Sequence, residues 1–402
     1  MMFLIIAILA LTLIYGLFGI RILRPARLGR KIKILGWATL SVCYAALPMA
    51  LVFRFNWPDN PMTIPLSWFA YATFGFFTLT FCAILLRDGI LVIGHGIRKG
   101  LQTRIKPFYR TGVPGKAQVP DDPSRRVFLL NSTNAAILGV SGSLAGYGLA
   151  HARQVPRVLD VDVPLANLPN EFEGFRILQI SDLHVSMTIR RDYVQKVVDR
   201  ANGQTPDMVV FTGDLADGHV DDLRGESAPL AQLEAPFGKY FVTGNHEYYS
   251  GVAGWLHEIS RCGFVPLLNE HRVIRRNHAQ MVLAGITDYR ASQIVPHHAS
   301  DPVRALAGAP GGLPRIMLAH QPKSVFQAEP SGVDLLICGH THGGQYIPWN
   351  YMVPLDQPYV HGLHRHGRSL IYVSRGTGYW GPPIRIGAPS EITVLRLVRA
   401  RT

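Results

Sequence analysis

Residues 176–184, RILQISDLH, decide the fold. A short apolar segment of strand length runs directly into a carboxylate and an imidazole two positions apart, Asp182 and His184. The same pattern recurs downstream. Residues 208–212 lead into Gly213-Asp214, and residues 239–243 lead into Gly244-Asn245-His246-Glu247. Residues 315–319 end at His320, and residues 335–338 lead into Gly339-His340-Thr341-His342. Helical patterning, as at residues 190–201, separates the first of these segments, and such alternation predicts an α/β core. Further strands are expected at residues 158–165, 265–268, 281–286, 370–374 and 392–398, the first of them at a sheet edge. Trp255 and Phe264 read as core residues. Ligands of open α/β sheets bind beyond the carboxyl ends of the strands, so the polar clusters should meet on one edge.

The donor set narrows the chemistry. Asp, Asn and His supply oxygen and nitrogen without a thiolate, which suits divalent metals such as Mn, Fe or Zn. An Asp-x-His or His-x-His pair in an extended segment points both side chains to one side. A carboxylate such as Asp214 can bridge two ions, and two ions about 3.5–4 Å apart can clamp a phosphate.

The series D-x-H, G-D, G-N-H-E, H and G-H-x-H, in this order, resembles the calcineurin-like metallophosphoesterase family over roughly residues 158–399. The resemblance implies a four-layer αββα sandwich and two divalent metal ions. It implies that Asp182, His184 and His342 hold one metal, that Asn245, His320 and His340 hold the other, and that Asp214 bridges them. His246 would stand beside the leaving group as the catalytic residue, while hydroxide activated by the metals attacks phosphorus in line. Residues 339–345, 372–378 and 381–385 resemble the bacterial YkuE-like envelope branch, which includes membrane-tethered and twin-arginine-exported members.

Upstream of this domain, expected at residues 153–402, the chain changes character. Residues 1–150 read as a transmembrane helical region with spans at 3–20, 34–53, 66–86 and 127–148. The last is the weakest, because it holds Asn131, Ser132, Thr133 and Asn134. Residues 1–126 carry a net charge of +12 out of +13 for the whole chain. The charge sits between apolar runs, which is a positive-inside pattern and not a nucleic-acid-binding face, so no nucleic acid partner is expected. The basic first and third loops predict a cytoplasmic side for themselves. The second loop and the catalytic domain then lie on the periplasmic or extracellular side of the cytoplasmic (inner) membrane. Residues 100–124 read as a cytoplasmic connector. Arg125-Arg126 followed by Val127-Phe128-Leu129 resembles a twin-arginine export signal, and Ala150-His151-Ala152 offers a small-residue cleavage site.

Secondary candidates carry two readings each. Arg375 before a glycine-rich turn can bind a phosphate oxygen or form a loop-positioning ion pair. Glu247 can orient Asn245 or His246, or lie solvated at a helix start. Asp217 reads as a turn residue. Residues 346–366 read as a substrate lid or a surface loop, and His297 and His298 as surface residues. The four cysteines match no disulfide or zinc spacing.

The function expected is hydrolysis of phosphate monoesters or diesters at the membrane surface. The alternatives are a pyrophosphatase for a lipid-linked or nucleotide-sugar (UDP-diacylglucosamine-like) substrate, and an inactive membrane sensor or binding module. The presence of all seven ligand positions and of His246 argues against the last.

Overall fold

The computed structural model describes residues 2–104 and 123–400. The N-terminal region is helical: α1 (Met2–Phe18), α2 (Arg30–Asn56), α3 (Thr63–Arg104) and α4 (Pro123–Ala152). By length and composition, the segments Ile5–Leu23, Arg30–Asn56, Thr63–Gly100 and Val127–Ala152 can each cross a membrane. Helix α3 outruns its expected span, because the apolar run Ile90, Leu91, Val92, Ile93 resumes after Arg87-Asp88. The first residues of the expected connector are therefore helical, and residues 105–122 lie outside the described residues. Arg125 and Arg126 fall in the first turns of α4, with their side chains outside the described set.

One of the polar residues that weakened the fourth run has a packing role. Asn134 is buried, accepts from Arg87 Nη1 at 2.5 Å and donates to the Arg21 carbonyl at 3.2 Å. Arg21 Nε pairs with Asp88 at 2.9 Å. Polar side chains facing other helices tie apolar helices together through hydrogen bonds that lipid cannot offer.

The chain falls into two compact units. One takes in the residues up to Leu47 and Thr73–Gly146. The other joins Pro48–Ala72, the end of α2 and the start of α3, to the chain from Tyr147 onward.

The second unit contains two six-stranded mixed sheets. The first has the order β1 (Arg157–Leu165), β12 (Glu391–Arg399), β2 (Arg176–Ile180), β3 (Met208–Phe211), β4 (Lys239–Phe241), β5 (Phe264–Pro266). Strands β2 to β5 run parallel, and β12 enters antiparallel to β2. The second sheet has the order β10 (Gly362–His366), β11 (Ser369–Val373), β9 (Leu335–Cys338), β8 (Arg315–Leu318), β7 (Ala279–Gly285), β6 (Glu270–Arg276), parallel from β11 to β7 with antiparallel edges.

Alternation along the strands builds the layers. Ile177, Met208 and Val210 face Leu283, Ile316 and Ile337 in a core between the sheets. Their neighbours Leu178, Val209 and Phe211 face the other way. They pack against Val194 and Val197 of α5 (Arg191–Asn202) and against Trp255 and Ile259 in the segment Val252–Arg261. On the far side, Met317 and Leu336 meet Val325 and Ala328. The result is a four-layer helix–sheet–sheet–helix sandwich. Strands buried on both faces read as unbroken apolar runs, which is why β2, β3, β8 and β9 were legible.

Candidate active site and metal centre

The parallel strands deliver their polar residues to one end. Asp182 and His184 follow β2, Asp214 follows β3, Asn245 follows β4, His320 follows β8, and His340 and His342 follow β9. The loops after β2 and β3 run side by side: the Asp182 and His184 amides donate to the Gly213 and Asp214 carbonyls at 3.0 and 3.1 Å. Five of these residues take positive φ: Asp182 (52°), His184 (52°), Asp214 (55°), His340 (73°) and His342 (51°). Left-handed backbone is rare outside glycine, and Asp, Asn and His tolerate it best. Each kink turns a side chain off the strand direction. Such strain persists where the surrounding structure over-determines it.

Glu247 is one of the fixing groups. It is fully buried, and its carboxylate accepts the amides of Asp214 (3.0 Å), Leu215 (2.7 Å) and Gly244 (2.6 Å). The solvated alternative for this residue is therefore set aside: Glu247 clamps the loop after β3 to the loop after β4. Gly244 is required there, since a Cβ would strike the Asp214 carboxylate.

The ligand atoms of Asp182, His184 and His342 lie within 4.8 Å of one another, as do those of Asp214, His320 and His340. His184 Nε2 and His342 Nε2 are 3.0 Å apart, and His320 Nε2 is 3.1 Å from both Asp214 Oδ2 and His340 Nδ1. These side chains fit divalent metals on three observations. His320 Nδ1 is 2.8 Å from the Thr212 carbonyl, which must accept its proton, so Nε2 keeps a lone pair. His184 Nδ1 is held by Asp217 at 3.0 Å, with the same consequence for its Nε2. The Asn245 Oδ1 is buried with no hydrogen-bond partner among the described residues. Lone pairs crowded this closely want cations between them, and a buried amide oxygen without a partner fits the same need.

The electrostatics agree at His340 and His342, whereas at His320 the opposing effect of burial is outweighed by Asp214, which lifts that ring to about 10. Burial, and then His320, hold His340 down at about 3, and burial followed by His184 holds His342 well below its usual value, so both rings stay neutral as ligands must. Burial works against charge on His246 too, but Asp214 and Asp217 outweigh it and lift His246 to about 9. His246 Nδ1 lies 2.5 Å from Asp217 Oδ1, while its Nε2 faces Asp214 at 3.9 Å. One carboxylate thus fixes two imidazoles, one in the ligand cluster and one beside it.

Two buried groups lie outside the sequence expectations. Asp217 is expected as a turn residue, and the spacing Gly213-Asp214-x-x-Asp217 is the signal for more. Arg385 is the other: it is buried, donates to the carbonyls of His342 (3.0 Å), Arg375 (2.8 Å) and Ala388 (3.1 Å), and lies 3.1 Å from His342 Nδ1. Arg375 itself pairs with Glu391 at 3.0 Å and lies 3.1 Å from His361 Nδ1. Residues 346–366 are not a plain loop, since they hold a helix, Trp349–Asp356, and the whole edge strand β10. His297 is exposed, whereas His298 is half-buried and 3.0 Å from the Tyr248 hydroxyl.

Residues 175–344 match the family described as calcineurin-like phosphoesterase. A Danio rerio protein named transmembrane protein with metallophosphoesterase domain is 40% identical over 269 residues, covering 65% of this chain and 62% of that one. An uncharacterized metallophosphoesterase of Helicobacter pylori is 36% identical over 281 residues, covering 69% of this chain and 73% of that one. The uncharacterized metallophosphoesterase YkuE of Bacillus subtilis is 30% identical over 286 residues, covering 68% of this chain and 97% of that one. A fold of two sheets between helices, with two groups of residues that could hold metal at the strand ends, defines the class. The chain belongs to the calcineurin-like metallophosphoesterase family, whose members generally use a binuclear divalent centre.

Proposed function

We propose that the chain hydrolyses phosphate monoesters or diesters at a membrane surface. Asp182, His184 and His342 would hold one divalent ion, Asn245, His320 and His340 a second, with Asp214 bridging. When bound, such a pair lowers the pKa of a water and neutralises phosphoryl oxygens. The chain's own residues supply the rest. Asp217 accepts the Nδ1 proton of His246, which fixes the ring and leaves Nε2 to hold a proton for the departing oxygen. Held up at about 9, His246 carries that proton at neutral pH. Both Nη atoms of Arg375 have neighbours in Glu391 and His361, which favours positioning of the turn after β11 over direct phosphate binding.

Helices α1 to α4 would anchor the chain in the inner membrane. The loop charges favour an outer-side catalytic domain, and the sharing of a compact unit by the end of α2 and that domain supports one side for both. The observation that carries the function is the meeting of two ligand groups with His246 beside Asp214. The test is to strip the full-length chain in detergent with chelator, then restore manganese, iron or zinc singly. Hydrolysis of bis-p-nitrophenyl phosphate or p-nitrophenyl phosphate should return with a metal. A folded, metal-loaded chain inactive on both points to the pyrophosphatase reading, and a folded chain that binds no metal refutes the assignment.

A further inference from the structure

Beside the ligand cluster lies a pocket lined partly by the apolar helices. Arg54 stands in the last turn of α2, and Ser67 and Tyr71 in the first turns of α3; opposite them are Ser186, Thr188 and Asp217. The approach is close. A Cβ on Gly218 would sit 3.4 Å from Arg54 Nη2, and the rings of Phe55 and His219 meet edge-on at 6.4 Å. Ile64 packs against the cluster formed by β2, β3 and α5. Helix α2 therefore delivers a guanidinium to the loop that follows Asp214.

That guanidinium is under-used. Arg54 lies over the Phe55 ring at 5.4 Å and acts electrostatically on Tyr71, but its Nε is buried with no partner, and no carboxylate forms an ion pair with it among the described residues. Asp217, the acid nearest in the lining, is already engaged by His184 and His246, so its charge is spoken for. A planar cation with a free N–H, ringed by hydroxyls, matches phosphate oxygens. Asp217 belongs to both the pocket and the catalytic pair, so an anion in the pocket adjoins the reacting phosphate.

We propose that Arg54, with the hydroxyls of Ser186 and Thr188, binds a second phosphate of the substrate, next to the one that is cleaved. This rests on the phosphoesterase reading and narrows it to substrates carrying two linked phosphates. Arg54 ends a helix long and apolar enough to cross a membrane, and such a crossing would set the pocket at headgroup level. A diphosphate can arrive there on a lipid or from solution, and the chemistry is shared.

The test uses the full-length chain in nanodiscs with the metal that restores bis-p-nitrophenyl phosphate hydrolysis. Wild type, Arg54→Gln and Arg54→Lys are compared on that compound, on ADP-ribose as a soluble diphosphate, and on CDP-dioleoylglycerol as a lipid-borne one. Arg54→Gln should raise KM for a diphosphate about 10–100-fold more than for bis-p-nitrophenyl phosphate, the scale of one lost charge-assisted contact. Arg54→Lys should recover part of the loss. A rise confined to CDP-dioleoylglycerol assigns the lipid source, and a rise on both diphosphates assigns the shared chemistry alone. An equal change on all three compounds means that Arg54 only fastens α2 to the domain, and overturns the subsite. Wild-type failure on both diphosphates overturns it as well. In either case, metal-dependent hydrolysis of bis-p-nitrophenyl phosphate by wild type leaves the phosphoesterase reading standing; a folded wild-type chain that binds no metal would overturn both.

Discussion

Replacing Asp217 by Asn removes one negative charge and keeps the shape. In the native protein its Oδ1 serves His246 Nδ1 at 2.5 Å and His184 Nδ1 at 3.0 Å. The rise of His246 from 6.5 to about 9 corresponds to about 3 kcal/mol, shared between Asp214 and Asp217. Two divalent ions would offset the charge of Asp214, so the Asp217 share is the part that persists in the loaded enzyme. A raised imidazole pKa keeps the proton-donating form to higher pH, and that form is lost as pH rises through the pKa. In Asp217→Asn the alkaline limb of kcat/KM should therefore move down by about 1–2 pH units, half or more of the shift. The lost hold on His184 should also weaken metal affinity or turnover about 10–100-fold, as for other carboxylates behind a ligand histidine. The assay is a pH profile of bis-p-nitrophenyl phosphate hydrolysis at saturating metal, with metal content measured on the same samples. An alkaline limb that stays in place, with native metal content, would refute the dual role of this carboxylate.

Other substitutions separate binding from turnover. His246→Ala should retain metal and lose about 10²–10⁴ in kcat, the range for lost acid–base help; native turnover would remove His246 from the mechanism. Asp214→Ala takes an oxygen from the His320–His340 group and the bridge between groups, so metal-dependent hydrolysis should vanish and measured metal per chain should fall. Gly244→Ala drives a Cβ into the Asp214 carboxylate and should cost about 100-fold in activity, whereas Gly225→Ala meets nothing within 4 Å and should leave activity at the native level. Equal activity of the two glycine variants would show that the loop after β4 yields more readily than its contacts suggest.

What could be read from the sequence follows from where physical constraints repeat locally. Strands β2, β3, β8 and β9 are buried on both faces, so their apolar runs stand out, and the ligands sit directly at their ends. The edge strands β6 and β10 were missed because an edge has one open side: EHRVIRR and GLHRH carry charges and imidazoles that also discourage pairing with another chain. The ligand residues are legible for a different reason, since each is a chemical group needed at a strand end. Their supports are not. Glu247 earns its place by accepting amides from a loop some thirty residues earlier, and Arg385 by collecting carbonyls around His342. Neither contact has a periodicity. Arg54 lies further still from any local rule, because its neighbours come from the loop after β3 and its own position was fixed by the demands of an apolar helix. Local pattern thus specifies which atoms could bind a metal, while tertiary closure decides which protons those atoms carry. Asp217 joins the two levels: three residues from Asp214 in sequence, it holds the rings of His184 and His246 only because the loops after β2, β3 and β4 are held in contact. Charge and geometry at the centre are therefore coupled through one side chain, and a change that leaves every ligand in place can still disable it.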